Sequence, residues 1–144
     1  MPNWEYTLMK VTFKNHNRLE EFKKKYLDEN RNFDFDRVVP EPRTKQECPV
    51  DCIVENAEKA GIQEDKERPW FNWYTWHCRY WGTKWNACCS CVMDETQRTI
   101  TIYYDTAWSH PDPIYDALKA QNPDAKFVFE LTGEDMDETI ILKS

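Results

Sequence analysis

The chain has 144 residues, 40% of them hydrophobic, which predicts one domain over residues 1–144 closing a single core. Its 26 acidic and 19 basic side chains leave a net charge of -7, a balance that opposes approach to a phosphate backbone unless the bases cluster. They cluster once, in Lys23, Lys24 and Lys25, but among Glu20, Glu21, Asp28 and Glu29 on a predicted helix, the pattern of a solvated face. No apolar run is long enough to span a bilayer, and the opening MPNWEYTLMK has neither a basic stretch nor an apolar core of the secretory kind. The expectation is therefore a cytoplasmic protein without a membrane partner, whose six cysteines are free thiols or metal ligands rather than a disulfide framework.

The first predicted strand changes phase, with Trp4, Tyr6 and Leu8 on even positions and Met9, Val11 and Phe13 on odd ones. That pattern fits a bulge near Leu8 or a strand buried on both faces, and both place it inside a sheet. Asn17 followed by Glu20 signals a helix start, and Leu19, Phe22 and Tyr26 recur at helical spacing, predicting a helix over residues 18–29. Phe33 and Phe35 alternate with Asp34 and Asp36 ahead of Val38 and Val39, a short strand that Pro40 and Pro42 end. After a loop, Asp51 is placed to cap a brief helix with Ile53, Ala57 and Ala60 on one side and Gly61 as its stop.

Pro69 opens a predicted helix over residues 69–81, with Trp70, Trp73, Tyr74, His77 and Trp81 along one stripe and Gly82 at its end. Two strands over residues 87–93 and 98–105 read as a hairpin. Asp112 and Pro113 start a further helix with Ile114, Ala117 and Leu118 facing inward, and Phe127, Phe129 and Leu131 mark a strand before a turn at Gly133 to Asp137. Ile140 and Leu142 mark a last strand. Helices gathered on one face of a mostly antiparallel sheet satisfy this order with short connections, which is the α+β class.

Four segments carry a resemblance: PNW at Pro2 to Trp4, FDFDRVVPEP at Phe33 to Pro42, WGTKWNA at Trp81 to Ala87 and DTAWSHP at Asp105 to Pro111. Together they resemble the YubB-type ferredoxin-like domain family, over nearly the whole chain. The resemblance implies a ferredoxin-like α+β fold of the kind found in phage, plasmid and prophage proteins, and supplies no reaction. The cysteine-rich stretch after Asn86 and the CPVDC pair depart from the family's pattern.

Five of the seven tryptophans fall between positions 70 and 85. Helical spacing assigns Trp70, Trp73 and Trp76 to the core, since a small domain gains much of its burial from such rings. Trp81, Trp85 and Trp108 instead flank Gly82, Thr83, Lys84 and Ser109, where side chains can emerge, so Trp81, Lys84, Trp85 and Trp108 form a candidate binding surface. The alternative for Lys84 is to cover ring faces with its alkyl stem. Glu134, Asp135, Asp137 and Glu138 read as a solvated turn or as an acidic edge for a basic groove on a partner.

Zinc would need four soft ligands, and Cys48 and Cys52 with two from Cys88, Cys89 and Cys91 suffice in number. On a regular strand, however, Cys89 and Cys91 share a face that Cys88 does not, so convergence needs a bulge. His77 and Cys78 point about 100° apart on a helix and do not form a nucleophile–base pair. With three glycines and no phosphate loop or paired-histidine motif, the expectation is a non-enzymatic protein without cofactor. The partner expected is a host protein or ribonucleoprotein, such as a CRISPR effector of a defence system. A nucleotide or single-stranded nucleic acid on the aromatic and lysine surface is the alternative, which the net charge disfavours, and a zinc-stabilised domain is the third.

Overall fold

A computed structural model describes residues 3–55, 61–62, 65–133 and 139–143. Its centre is a five-stranded antiparallel sheet of β1 (Trp4–Thr12), β2 (Cys88–Glu95), β3 (Thr99–Ala107), β4 (Lys126–Thr132) and β5 (Thr139–Lys143), in the order β2-β3-β1-β4-β5. Among the described residues three α-helices accompany it, α1 (His16–Tyr26), α2 (Trp73–Tyr80) and α3 (Asp112–Gln121), making an α+β fold. Among the described residues no helix is long and apolar enough to cross a membrane.

β1 is the middle strand, as its apolar content on both faces requires. Its register runs unbroken from Trp4 opposite Ala107 to Thr12 opposite Thr99, so the phase change at Leu8 is not a bulge. Thr7, Met9 and Val11 are fully buried on one face, while Tyr6 and Leu8 are partly covered on the other. The buried face continues through Ile100, Ile102 and Tyr104 of β3 and Phe127, Phe129 and Leu131 of β4. On it rest Leu19, Phe22 and Tyr26 of α1 and Ile114, Tyr115 and Leu118 of α3, with Tyr115 stacked on Phe129 at 4.1 Å between ring centroids.

Several local expectations are corrected. α1 starts two residues early because Asn15, not Asn17, caps it by accepting from the Arg18 amide at 3.0 Å, and it ends at Tyr26, where Leu27 turns to pair with Phe33. The predicted strand over Phe33 to Val39 is one bridging residue and a 3₁₀ turn, Phe35–Arg37, because the Asp34 side chain takes the Asp36 amide at 3.0 Å. Asp51 lies inside the short turn Val50–Cys52 rather than capping a helix, and Ile53 bridges to Phe71, while Ala57 and Ala60 of that predicted helix lie outside the described residues. α2 begins at Trp73 rather than Pro69, with the Asn72 side chain accepting from Thr75. β2 is bulged: Cys88 opposes Asp105 and Cys91 opposes Tyr103, so Cys88 and Cys91 share a face that a regular strand would have separated. The left-handed backbone of Cys89, φ 55°, accommodates the extra residue.

Candidate recognition surface

The surface is assembled from two loops that bind each other. At the C-terminus of α2 the amides of Trp81 and Gly82 both donate to the His77 carbonyl, at 2.9 and 3.0 Å, and Gly82 turns the chain with φ 80°. Thr83, almost fully buried, then donates its hydroxyl to the Ala107 carbonyl at 2.7 Å. From the other loop Ser109 donates to the Gly82 carbonyl at 2.5 Å, and Thr106 donates to the Ser109 carbonyl at 2.7 Å. The WGTKW and TAWSHP segments are therefore stitched into one unit by their small hydroxyl residues.

This stitching places Lys84 between two indole rings, its Nζ 4.5 Å from the Trp85 ring centroid and 4.6 Å from that of Trp108. Trp108 holds its ring there from a left-handed backbone, φ 73°, an uncommon conformation for a bulky residue, fixed by its amide donating to the Asn3 carbonyl at 2.7 Å. Trp4 lies against Trp85 at 6.2 Å and Tyr74 meets Trp108 edge-on at 6.2 Å, so each of the two rings that flank the ammonium is backed by another aromatic ring. Tyr74, Trp85 and Trp108 stay 40%, 36% and 46% exposed. Among the described residues no carboxylate pairs with Lys84. Beside the rings a hollow of about 470 Å³ is lined by Ile62, Asn72, Trp73 and Tyr74 together with Lys84 and Trp85.

His77 anchors the lysine loop from beneath. Its Nδ1 lies 2.8 Å from the Lys84 carbonyl and its Nε2 2.7 Å from Glu41 Oε2, and its ring stacks on Trp81 at 4.1 Å. Both nitrogens thus face oxygens and the ring is packed among Trp73, Trp76 and Trp81, so the imidazole acts as a clamp on the lysine loop. Arg68 backs Glu41 at 3.6 Å and lies over Phe71 at 4.5 Å. Nearby, His110 sits 3.1 Å from Glu5, and burial pushes its imidazole below the ordinary histidine range, so it adds no positive charge at neutral pH.

Of the residues expected at the surface, Lys84, Trp85 and Trp108 come together and Trp81 does not. Trp81 is 2% exposed, packs edge-on to Phe35, and donates its indole N–H to the Val39 carbonyl at 2.9 Å; it belongs to the core. Of the three tryptophans assigned to the core, Trp76 is buried and Trp70 and Trp73 are partly buried against it. Glu134, Asp135, Asp137 and Glu138 lie outside the described residues. Trp4 and Tyr74 join the surface without having been singled out for it, although the PNW segment was one of the four conspicuous pieces of sequence.

The cysteines do not form a zinc site among the described residues, where no group of three or more histidine, cysteine, aspartate or glutamate side chains is placed to hold a metal. Cys48 and Cys52 are neighbours, the Cys48 thiol reaching the Cys52 carbonyl at 3.7 Å, but both are buried and burial pushes both thiols up. Compared with known proteins, the chain matches no family model, no curated protein and no solved structure.

Proposed function

We propose that the chain is a non-enzymatic binding protein that engages a host protein or ribonucleoprotein through the Trp85–Lys84–Trp108 surface. The observation that carries this is the ammonium of Lys84, held between two half-exposed indoles with no carboxylate of the described residues to neutralise it. Exposed tryptophan and tyrosine offer large apolar area at little entropic cost, and a lysine fixed among them accepts one anionic group, a partner's carboxylate by preference. The strained backbone at Trp108 and the hydroxyl stitches preorganise the group before any partner arrives. The ferredoxin-like class is part of the same proposal, supported by the β1-α1-α2-β2-β3-α3-β4 succession, in which α2 is an addition between α1 and β2, and by the neighbour order β2-β3-β1-β4, with β5 added at the edge. The phage or mobile-element setting, with an anti-CRISPR role as one form of it, is supported by the four sequence segments alone.

The test is capture from host lysate by wild type and by Trp108→Ala and Lys84→Ala, each variant first shown to be folded. Recovery of one stoichiometric host protein by wild type, reduced at least about tenfold in both variants, is expected. Equal recovery by all three, or by none, sinks the proposal.

Single-stranded nucleic acid stacked on the same indoles is the alternative, and the open face of the sheet could extend it, since strand register puts Lys10, Val128 and Lys143 in one row and Lys126 in the next. The same face also carries Asp105 and Glu130, which repel phosphate. Titration with an oligonucleotide decides between the two: quenched tryptophan emission that weakens with salt favours nucleic acid.

A further inference from the structure

We propose that β5 pairs antiparallel with β5 of a second copy of this chain, across a two-fold axis at Ile141, to make one ten-stranded sheet. Among the described residues β5 is the last strand of the sheet and pairs only with β4, which leaves one side of its backbone without a strand partner there. It is also apolar on both faces: Ile140, Ile141 and Leu142 are 48%, 55% and 39% exposed. The opposite edge shows how this same protein protects a strand, because β2 has two breaks of register and ends in Asp94 and Glu95. β5 lacks the register breaks and the acidic pair. Its five pairs with β4 are in unbroken register, it contains no proline, and its single charge is the terminal Lys143.

A second copy fits this edge by symmetry. With Ile141 opposite its own counterpart, Ile140 faces Leu142 and Thr139 faces Lys143, so the two lysines fall about 13 Å apart along the strands. On the helix side, Leu142 neighbours Phe129 and Ile140 neighbours Leu131 in β4, and the pairing continues that apolar row into the second copy. A five-residue strand covers less than the roughly 800 Å² per partner of a standard interface, so the association is weak.

Sedimentation equilibrium from about 10 to about 500 µM reads this directly. Wild type is expected to pass from monomer to dimer, and Ile141→Lys, a change at an exposed position that supplies the missing edge charge, to weaken dimerisation at least about tenfold while circular dichroism is unchanged. Wild type that stays monomeric throughout overturns the proposal, as does an Ile141→Lys variant that dimerises like wild type. If that variant fails to fold, amide exchange in wild type replaces it: β5 amides must gain protection with concentration, and their failure to do so overturns the proposal equally.

Discussion

Gly82 is the narrowest point of the surface's construction, and its replacement by alanine separates two kinds of cost. At φ 80° an L-residue is strained, by about 1–2 kcal/mol. A Cβ there would also stand 2.6 Å from Pro113 Cδ and 3.3 Å from the Asp112 backbone nitrogen, atoms of a rigid ring and of the first turn of α3, which cannot swing aside. Overpacking of this kind adds about 1–3 kcal/mol, for a total of about 2–5 kcal/mol. Gly61 supplies the control, since it has φ 76° but, among the described residues, nothing within 4 Å of its added Cβ, so Gly61→Ala is expected to carry the backbone term alone. Urea unfolding of the two variants beside wild type measures the difference: the Gly82→Ala midpoint should fall well below that of Gly61→Ala, with the slope m unchanged in both. Equal losses would refute the steric argument and show that α3 yields at Pro113.

His77→Ala removes the clamp under Lys84 and leaves Glu41, 14% exposed, with only Arg68 at 3.6 Å and Arg43 at 4.0 Å, so it should lose about 2–3 kcal/mol in the same urea assay. A loss under about 0.5 kcal/mol would mean water replaces the imidazole at no cost. Lys23 holds the Glu95 carboxyl below its ordinary range by a hydrogen bond, and Arg18 does the same for Asp124. Folded protein thus binds fewer protons than unfolded at acid pH, so this stability is complete above the ordinary carboxylate range near about pH 4 and drains as pH falls through the lowered values; Glu95→Gln should flatten the decline in the urea midpoint. Disulfide-reagent labelling should modify Cys89 and Cys91, which are exposed, well before the buried Cys48 and Cys52, whose thiols burial pushes up; simultaneous labelling of all four would show that the 48–52 turn opens readily.

Much of the sheet was legible because β3 and β4 announce themselves through period-two alternation and the β2–β3 and β4–β5 pairs are sequence-adjacent, whereas the pairing of β1 with β3 and β4 is not local. β3 is the clearest instance, with Ile100, Ile102 and Tyr104 buried and Thr99, Thr101 and Tyr103 partly open. What failed were decisions made by single side-chain hydrogen bonds. Asn15 and Asn17 are equivalent caps on paper, and Asp34 turns two alternating phenylalanines into a 3₁₀ turn by taking one amide. In the surface, Trp81 and Trp85 flank the same Gly82–Lys84 turn, yet one enters the core and the other leaves it. The difference is fixed by the Val39 carbonyl, 42 residues away in sequence, which accepts the Trp81 indole. Trp4 and Tyr74 escaped notice for a similar reason: their place beside Trp85 and Trp108 depends on the pairing of β1 with β3 and on the start of α2, neither of which a local pattern encodes.

The two proposed interfaces constrain each other. Trp108 follows directly on β3 and binds Asn3 ahead of β1, so the recognition surface lies at the end of the sheet where Trp4 faces Ala107. β1 is antiparallel to β4 and β4 to β5, so β1 runs parallel to β5. In an antiparallel β5 dimer the two copies of β1 therefore run in opposite directions, five strand spacings or about 24 Å apart, and the two tryptophan surfaces stand at opposite ends of the joined sheet. Each then binds a partner without obstructing the other, which predicts two partners per dimer and no cooperativity between them. Ile141→Lys should give one partner per monomer with the same intrinsic affinity, measured by calorimetric titration against the captured host protein. An affinity that falls with the loss of the dimer would mean instead that both copies touch one partner, and would place the recognition surface across the two-fold axis.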